Sequence, residues 1–222
     1  MRGEISSAEF AKRHPLDWYV DPDWCALQLM RHLGDFRHEK INGIAVWDPS
    51  AGRGNTLAYI ADAGIRCFAS DVVDNFDWSQ FDAPHVTPPE WFAADFRELD
   101  KAPAERCTIV CNPPYSYQKG IAEQFARHAL KLATNRVCLL LPNKWLSSQA
   151  RYQLFEIDHP PAMVLHLTQR PSMPPGDRIH LMGNRAFRGG MIDYCWIVWD
   201  VQYPTPRGET RVRWLPRLGE AA

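Results

Sequence analysis

Short apolar runs alternate along this chain with segments whose apolar positions recur every three to four residues. The runs lie at 43–47, 66–69, 107–111, 137–141, 162–167 and 194–199. They are near-continuous rather than alternating, which is the pattern of strands buried on both faces. Between 119 and 133, Ile121, Phe125, Ala129 and Leu132 fall on one helical stripe. The stretch 145–157 repeats that spacing with Trp145, Leu146, Tyr152 and Phe155, which predicts another helix. Pro22, following Asp21, suits the first turn of an N-terminal helix. Strand and helix in alternation predict an α/β domain with a mostly parallel sheet and helices on both faces. Two stretches read as irregular: 74–90, rich in proline and aromatic residues, and 171–190, the longest loop. The chain reads as a single domain over 1–222.

Composition fits that picture. With 222 residues, 45% of them hydrophobic, including nine tryptophans and ten phenylalanines, the chain can fill one large core. No run approaches the roughly 18 apolar residues of a membrane span, and the N-terminal stretch lacks the apolar centre of a secretory leader. The cysteines at 25, 67, 107, 111, 138 and 195 form no CxxC pair, and most sit in apolar runs. Buried free thiols in a reducing cytoplasm explain them better than a disulfide framework or a zinc site. The formal net charge of −1 argues against a strongly basic nucleic-acid binder, although a local cationic face can serve where the whole does not. Arginines 170, 178, 185 and 188 face only Asp177 in their segment, and four more follow at 207, 211, 213 and 217.

Polar chemistry gathers where the apolar runs end. The first gives way to Asp48-Pro49-Ser50-Ala51-Gly52-Arg53-Gly54. Its glycines permit a tight turn and a close ligand, and a helix starting there would offer unpaired N–H groups to an anion. The GK[ST] ending of a triphosphate loop is missing. Asp48 would repel a pyrophosphate and attract a cation, which favours a ligand carrying an amine or sulfonium. The next run ends in Ser70-Asp71, where an acid can hold ribose hydroxyls. A short run at 91–93 leads to Asp95 and Phe96, and the run 107–111 stops at Asn112-Pro113-Pro114-Tyr115. Two prolines end the ladder there and hold Asn112 in extended geometry. Each piece alone could be an ordinary turn. Ligands of open α/β sheets bind beyond the carboxyl ends of the strands, however, so Asp48, Asp71, Asp95 and Asn112 would form one row along that edge.

In their order and spacing, DPSAGRG at 48–54, SD at 70–71, AADF at 93–96 and NPPY at 112–115 resemble the class I S-adenosylmethionine-dependent methyltransferases. Within these the chain is most similar to the amino-group methyltransferases of the N6-adenine DNA type, NPPY being the specific element. The resemblance runs from about Trp18 to Trp199. It implies a Rossmann-like fold, a mostly parallel sheet with an antiparallel last strand, and S-adenosyl-L-methionine as cofactor. It implies that Asp48, with Pro49, Ser50, Gly52 and Gly54, holds the methionine part of the cofactor. Asp71 would bind its ribose, and Asp95 with Phe96 its adenine. Tyr19, in an aromatic-plus-proline segment ahead of the glycine loop, would line the same pocket. Asn112, Pro113, Pro114 and Tyr115 would be catalytic. The Asn112 side-chain oxygen and the Pro113 carbonyl would hold the two N–H groups of an amine, a gain of orientation. Tyr115 would stack on the base, worth about 1–3 kcal/mol, and a paired base would first have to be flipped out.

On the acceptor side, Lys144 follows the run 137–141, and Arg170 and Ser172 follow 162–167. With Arg178, Arg185 and Arg188 they are expected to contact DNA. No segment is large enough for the target-recognition domain usual in restriction-type enzymes, so specificity would be short, loose or supplied by a partner chain. The alternatives are the same chemistry on RNA, N5-glutamine methylation of a protein, or a non-catalytic cofactor-binding subunit. No metal is expected.

Overall fold

The computed structural model describes residues 14–81, 87–115 and 117–218. Eight strands form one sheet: β1 (Ala45–Asp48), β2 (Cys67–Asp71), β3 (Glu90–Ala93), β4 (Cys107–Cys111), β5 (Arg136–Pro142), β6 (Met163–Leu167), β7 (Tyr194–Asp200) and β8 (Arg211–Leu215). Their spatial order is β3-β2-β1-β4-β5-β7-β6-β8. Strands β1 to β5 pair in parallel. β7 runs antiparallel between β5 and β6. Every apolar run named above is a strand, and the last of those runs is the antiparallel one. β8 adds an edge parallel to β6. Arg211, Val212, Arg213 and Trp214 are exposed there and Leu215 alone is buried, so the apolar pattern does not mark it.

Successive strand residues point to opposite faces, and the core splits accordingly. Trp47, Ile109, Leu139 and Ile197 pack with Phe125 and Leu132 of a helix on one face. Val46, Val110, Leu140 and Trp196 pack on the other, with Leu29, Phe36 and Ile60. Leu29 belongs to α1 (Trp24–His32), which begins just after Pro22. Phe36 stands at the start of α2 (Arg37–Ile41), and Ile60 lies in α3 (Ala58–Asp62). The helix on the first face is α4 (Ile121–Leu132), and all four residues of its predicted stripe are buried.

The stretch 145–157 is not one helix. Tight turns occupy Asn143–Trp145 and Gln149–Arg151, and a wide π-helical turn covers Gln153–Asp158. Ser148 is extended, at φ −161° and ψ 133°. Ser147 and Ser148, weak helix formers, fall at this break and interrupt the apolar period.

All six cysteines are buried free thiols. No described helix is long and apolar enough to cross a membrane. Among the described residues, no group of His, Cys, Asp and Glu is placed to hold a metal ion.

Candidate functional site

The carboxyl ends of β1, β2 and β4 meet as one cluster. Ser50, in the glycine loop after β1, donates from its hydroxyl to the Asn112 carbonyl at 3.1 Å. The Gly52 amide donates to Asp71 Oδ2 at 3.0 Å, and the Val72 amide to Asp71 Oδ1 at 2.8 Å. Burial raises the Asp71 pKa, and these N–H donors partly offset it.

A cavity of about 290 Å³ opens over this cluster, lined by Tyr19, Pro49, Ser50, Asp71, Asp95 and Phe96 together with Trp18, Asn112 and Pro114. Six of the nine predicted cofactor residues therefore line it. Asp48 lies beneath, 1% exposed, accepting from the Ser50 amide at 3.0 Å. Gly52 and Gly54 adopt φ of 52° and 77°, as a tight turn requires. The room that they leave is filled by the protein's own rings. A Cβ on Gly52 would stand 3.0 Å from Trp18 Nε1, and one on Gly54 would press on Trp78 and Phe81.

A second cavity, of about 630 Å³, lies beyond the first and shares Tyr19 with it; its wall includes Tyr115, Lys144, Trp145, Arg151, Ser172, Met173 and Tyr194. The NPPY motif stands between the two. Asn112 and Pro114 face the first, Tyr115 faces the second, and Pro113 is buried and lines neither. Asn112 Nδ2 donates to Asp21 Oδ1 at 3.4 Å. The Tyr115 hydroxyl donates to Asn112 Oδ1, so the oxygen expected to receive an incoming amine is engaged by the motif's own ring. That ring sits 6.1 Å from Tyr194, tilted by 49°. Burial pushes the Tyr115 hydroxyl well above its usual pKa, which keeps it a donor.

The chain before α1 laces these parts together. Asp17, at φ 54°, accepts from the backbone amides of Tyr115 (3.2 Å) and Tyr117 (2.8 Å) through Oδ2. The Val20 amide donates to Pro174 O, and the Gly176 amide to Trp18 O. A Cβ on Gly176 would enter the Trp18 indole, so the ring is held between two glycines. Its Nε1 is buried and finds no acceptor among the described residues.

Three acids differ sharply in setting. Asp95 is clamped by Arg97 through the Arg97 amide (3.0 Å), Nε (3.0 Å) and Nη2 (2.7 Å), and these bonds hold its pKa below the usual range. Asp21 is 5% exposed and accepts from the Thr56 hydroxyl at 3.3 Å as well as from Asn112. Burial lifts its pKa to about 6. Burial also pushes Asp48 well above the usual range, with Asp21 and Asp71 adding repulsion. Among the described residues, neither Asp21 nor Asp48 forms an ion pair with Lys, Arg or His.

Of the predicted acceptor-side residues, Lys144 and Ser172 line the second cavity. Ser172 donates to Ala186 O at 3.0 Å. Arg170, Arg178, Arg185 and Arg188 line neither cavity. Arg170 pairs with Asp193 at 2.7 Å on the surface, Arg178 stands 3.8 Å from Asp177, and Arg185 and Arg188 are exposed. The sequence pattern gives no sign of Arg151, which lies 4.8 Å over the Trp145 ring and joins Lys144 on the wall. Asp21 also carries no local signal as a site residue. It meets Asn112 across 91 positions of chain.

Comparison with solved structures supplies the fold's name. PH1948 of Pyrococcus horikoshii, named as an RNA methyltransferase, matches with a TM-score of 0.58 at 18% identity, covering 86% of this chain and 90% of that one. The fold is the Rossmann-like methyltransferase fold. A Thermoplasma acidophilum structure, protein 1320, matches at 0.51 and 15% identity over 80% of this chain and 87% of that one. The type IIG restriction endonuclease BpuSI matches at 0.52 and 15% identity, over 78% of this chain and 25% of the larger enzyme. No protein-family model matches the chain, and no curated protein matches it by sequence.

Proposed function

We propose that this protein transfers the methyl group of S-adenosylmethionine to an exocyclic amino group, adenine N6 of DNA being the first acceptor. The observation that carries the reading is the position of the motif. Asn112 is bonded to the glycine loop and faces one cavity, while Tyr115 faces the other.

The first cavity suits the cofactor chemically. Asp71 offers carboxylate oxygens to hydroxyls, Phe96 an apolar ring, and the unpaired Trp18 N–H a donor for a carboxylate. Asp95 brings acceptor oxygens whose charge Arg97 already balances. The cofactor supplies a sulfonium methyl when bound. Asn112 then accepts from the amine through Oδ1 and orients its nitrogen toward the first cavity. For that, the Tyr115 hydroxyl shares the oxygen or swings aside, leaving its ring beside the base. Tyr194, Trp145 and Met173 keep water from the acceptor, and Lys144 with Arg151 meets a neighbouring phosphate. The methylated amine loses its proton to water, so no strong general base is needed.

RNA is the second reading, favoured by the likeness to the P. horikoshii protein named as an RNA methyltransferase. Incubation with methyl-deuterated S-adenosylmethionine and either DNA or RNA, followed by nucleoside mass spectrometry, tests both. Labelled N6-methyldeoxyadenosine supports the first reading and labelled N6-methyladenosine the second. Label on cytosine or on protein alone would sink both.

A further inference from the structure

We propose that Asp21 is a positioning residue of the transfer site, its carboxylate holding the Asn112 amide so that Oδ1 faces the acceptor amine. This rests on the methyl-transfer reading above. A carboxamide has two ends of similar shape and opposite hydrogen-bonding sense. Turned by half a revolution, Asn112 would present an NH₂ group to the substrate's own NH₂, donor against donor. Something has to fix the turn.

Nδ2 of Asn112 contacts Asp21 Oδ1 at 3.4 Å and the weak acceptor Met173 Sδ at 3.8 Å. Asp21 is therefore the oxygen that defines the donor end, and Tyr115 marks the acceptor end. The Thr56 hydroxyl holds the other oxygen of Asp21, so the carboxylate is itself fixed. Although 3.4 Å is long, an ionised acceptor in a water-excluded setting acts strongly at that range.

A structural role accounts poorly for this residue. A carboxylate 5% exposed, with no cationic partner among the described residues, opposes folding at neutral pH. A neutral side chain of the same size would serve the fold better. The acid is explained by what it does to Asn112.

The charge state of Asp21 should then govern the reaction. Once protonated, its carboxyl can give the O–H to Thr56 and offers Asn112 only a neutral acceptor, so the amide is held less firmly. The groups facing it are Asp23, Asp48 at the end of β1, Cys25 on α1, Cys111 at the end of β4, Tyr115, and Tyr194 on β7. Burial raises both thiols and both phenols, so these stay neutral through pH 8, and it raises Asp48 well above its usual range. Asp21, whose carboxyl pKa burial lifts to about 6, is the one of these acids in contact with the Asn112 amide.

The test compares wild type with Asp21→Ala and Asp21→Asn. It measures transfer rate from about pH 5 to 8.5, cofactor affinity by calorimetry, and the Asn112 side-chain amide by ¹⁵N NMR, assigned with Asn112→Ser. Asp21→Ala should lower kcat by about tenfold or more, an orientation effect, with cofactor affinity within about twofold. Asp21→Asn can still accept from Asn112 and donate to Thr56, so it should keep about a third or more of the rate at pH 8. It should also lose the acid limb near pH 6. The wild-type Asn112 amide signal should titrate with that same midpoint and stay flat in Asp21→Asn. Unchanged kcat in Asp21→Ala, or an Asn112 amide indifferent to pH in wild type, overturns the proposal. If the amide titrates but no acceptor is ever labelled, the methyl-transfer reading fails and the Asp21–Asn112 coupling stands.

Discussion

Asp21 and Asp48 are buried with no cation paired to them among the described residues, and their burial works against the fold. The unfolded chain releases the Asp21 proton near its ordinary value of 3.8, whereas the folded protein holds it to about 6. Between these values the folded state binds more protons, so stability falls as pH rises through the interval and the loss is complete above it. A shift of that size corresponds to roughly 3 kcal/mol. Asp21→Asn should accordingly melt higher than wild type at about pH 7.5, with the advantage vanishing at about pH 4. Thermal melts of both proteins at the two pH values check this. An equal offset at both would mean that charge is not the cause. Trp18 makes a second case at this scale, because its N–H is a buried donor without an acceptor among the described residues. Trp18→Phe keeps most of the ring and removes that donor. Cofactor affinity measured by calorimetry should drop about tenfold, the scale of one hydrogen bond to a charged group, with little change in melting temperature.

The strand-like segment before α1 does at the level of elements what no single residue does. It bonds to the NPPY backbone through Asp17 and to the loop after β6 through Trp18 and Val20, so three distant parts of the chain are held in one register. Asp17→Ala strands the amides of Tyr115 and Tyr117, each buried donor left unpaired costing about 1–3 kcal/mol. The expected result is a lower melting temperature and a transfer rate that falls further than cofactor affinity, read by melts and kinetics on one preparation. Much of the framework was legible beforehand. The apolar runs mark seven of the eight strands, most of them because they are buried on both faces, while β3 is a short, partly exposed edge marked by Trp91 and Phe92; the α4 stripe is a clean 3.6-residue period. β8 escapes because it is an edge with four exposed residues, and 145–157 misleads because two serines interrupt an otherwise helical spacing. The same logic divides the site. Asp71, Asp95 and Asn112 stand at or just past strand ends and can be found by position. Asp21, Trp18 and Arg151 depend on contacts between remote segments, which no local pattern encodes. The glycines were expected to admit a ligand, yet Gly52 and Gly54 make room for Trp18, Trp78 and Phe81.

The whole molecule carries a formal charge of −1, so any grip on a polyanion must come from few residues. Lys144 and Arg151 sit on the wall of the second cavity, while Arg170 is tied to Asp193. Lys144→Ala should weaken nucleic-acid binding and reduce the slope of log affinity against log salt by about one. Fluorescence titrations at several salt concentrations read that slope, and an unchanged value would remove Lys144 from the phosphate contacts. The two cavities, the motif between them and the fold of the sheet all bear on one claim, that Asn112 presents an acceptor oxygen to the nitrogen being methylated. Single-turnover methyl transfer by Asn112→Ala, with cofactor affinity measured on the same preparation, tests it most directly. The predicted result is a rate lowered by about 100-fold or more at an affinity within about twofold of wild type. A rate close to wild type, or affinity lost in parallel with rate, would contradict it.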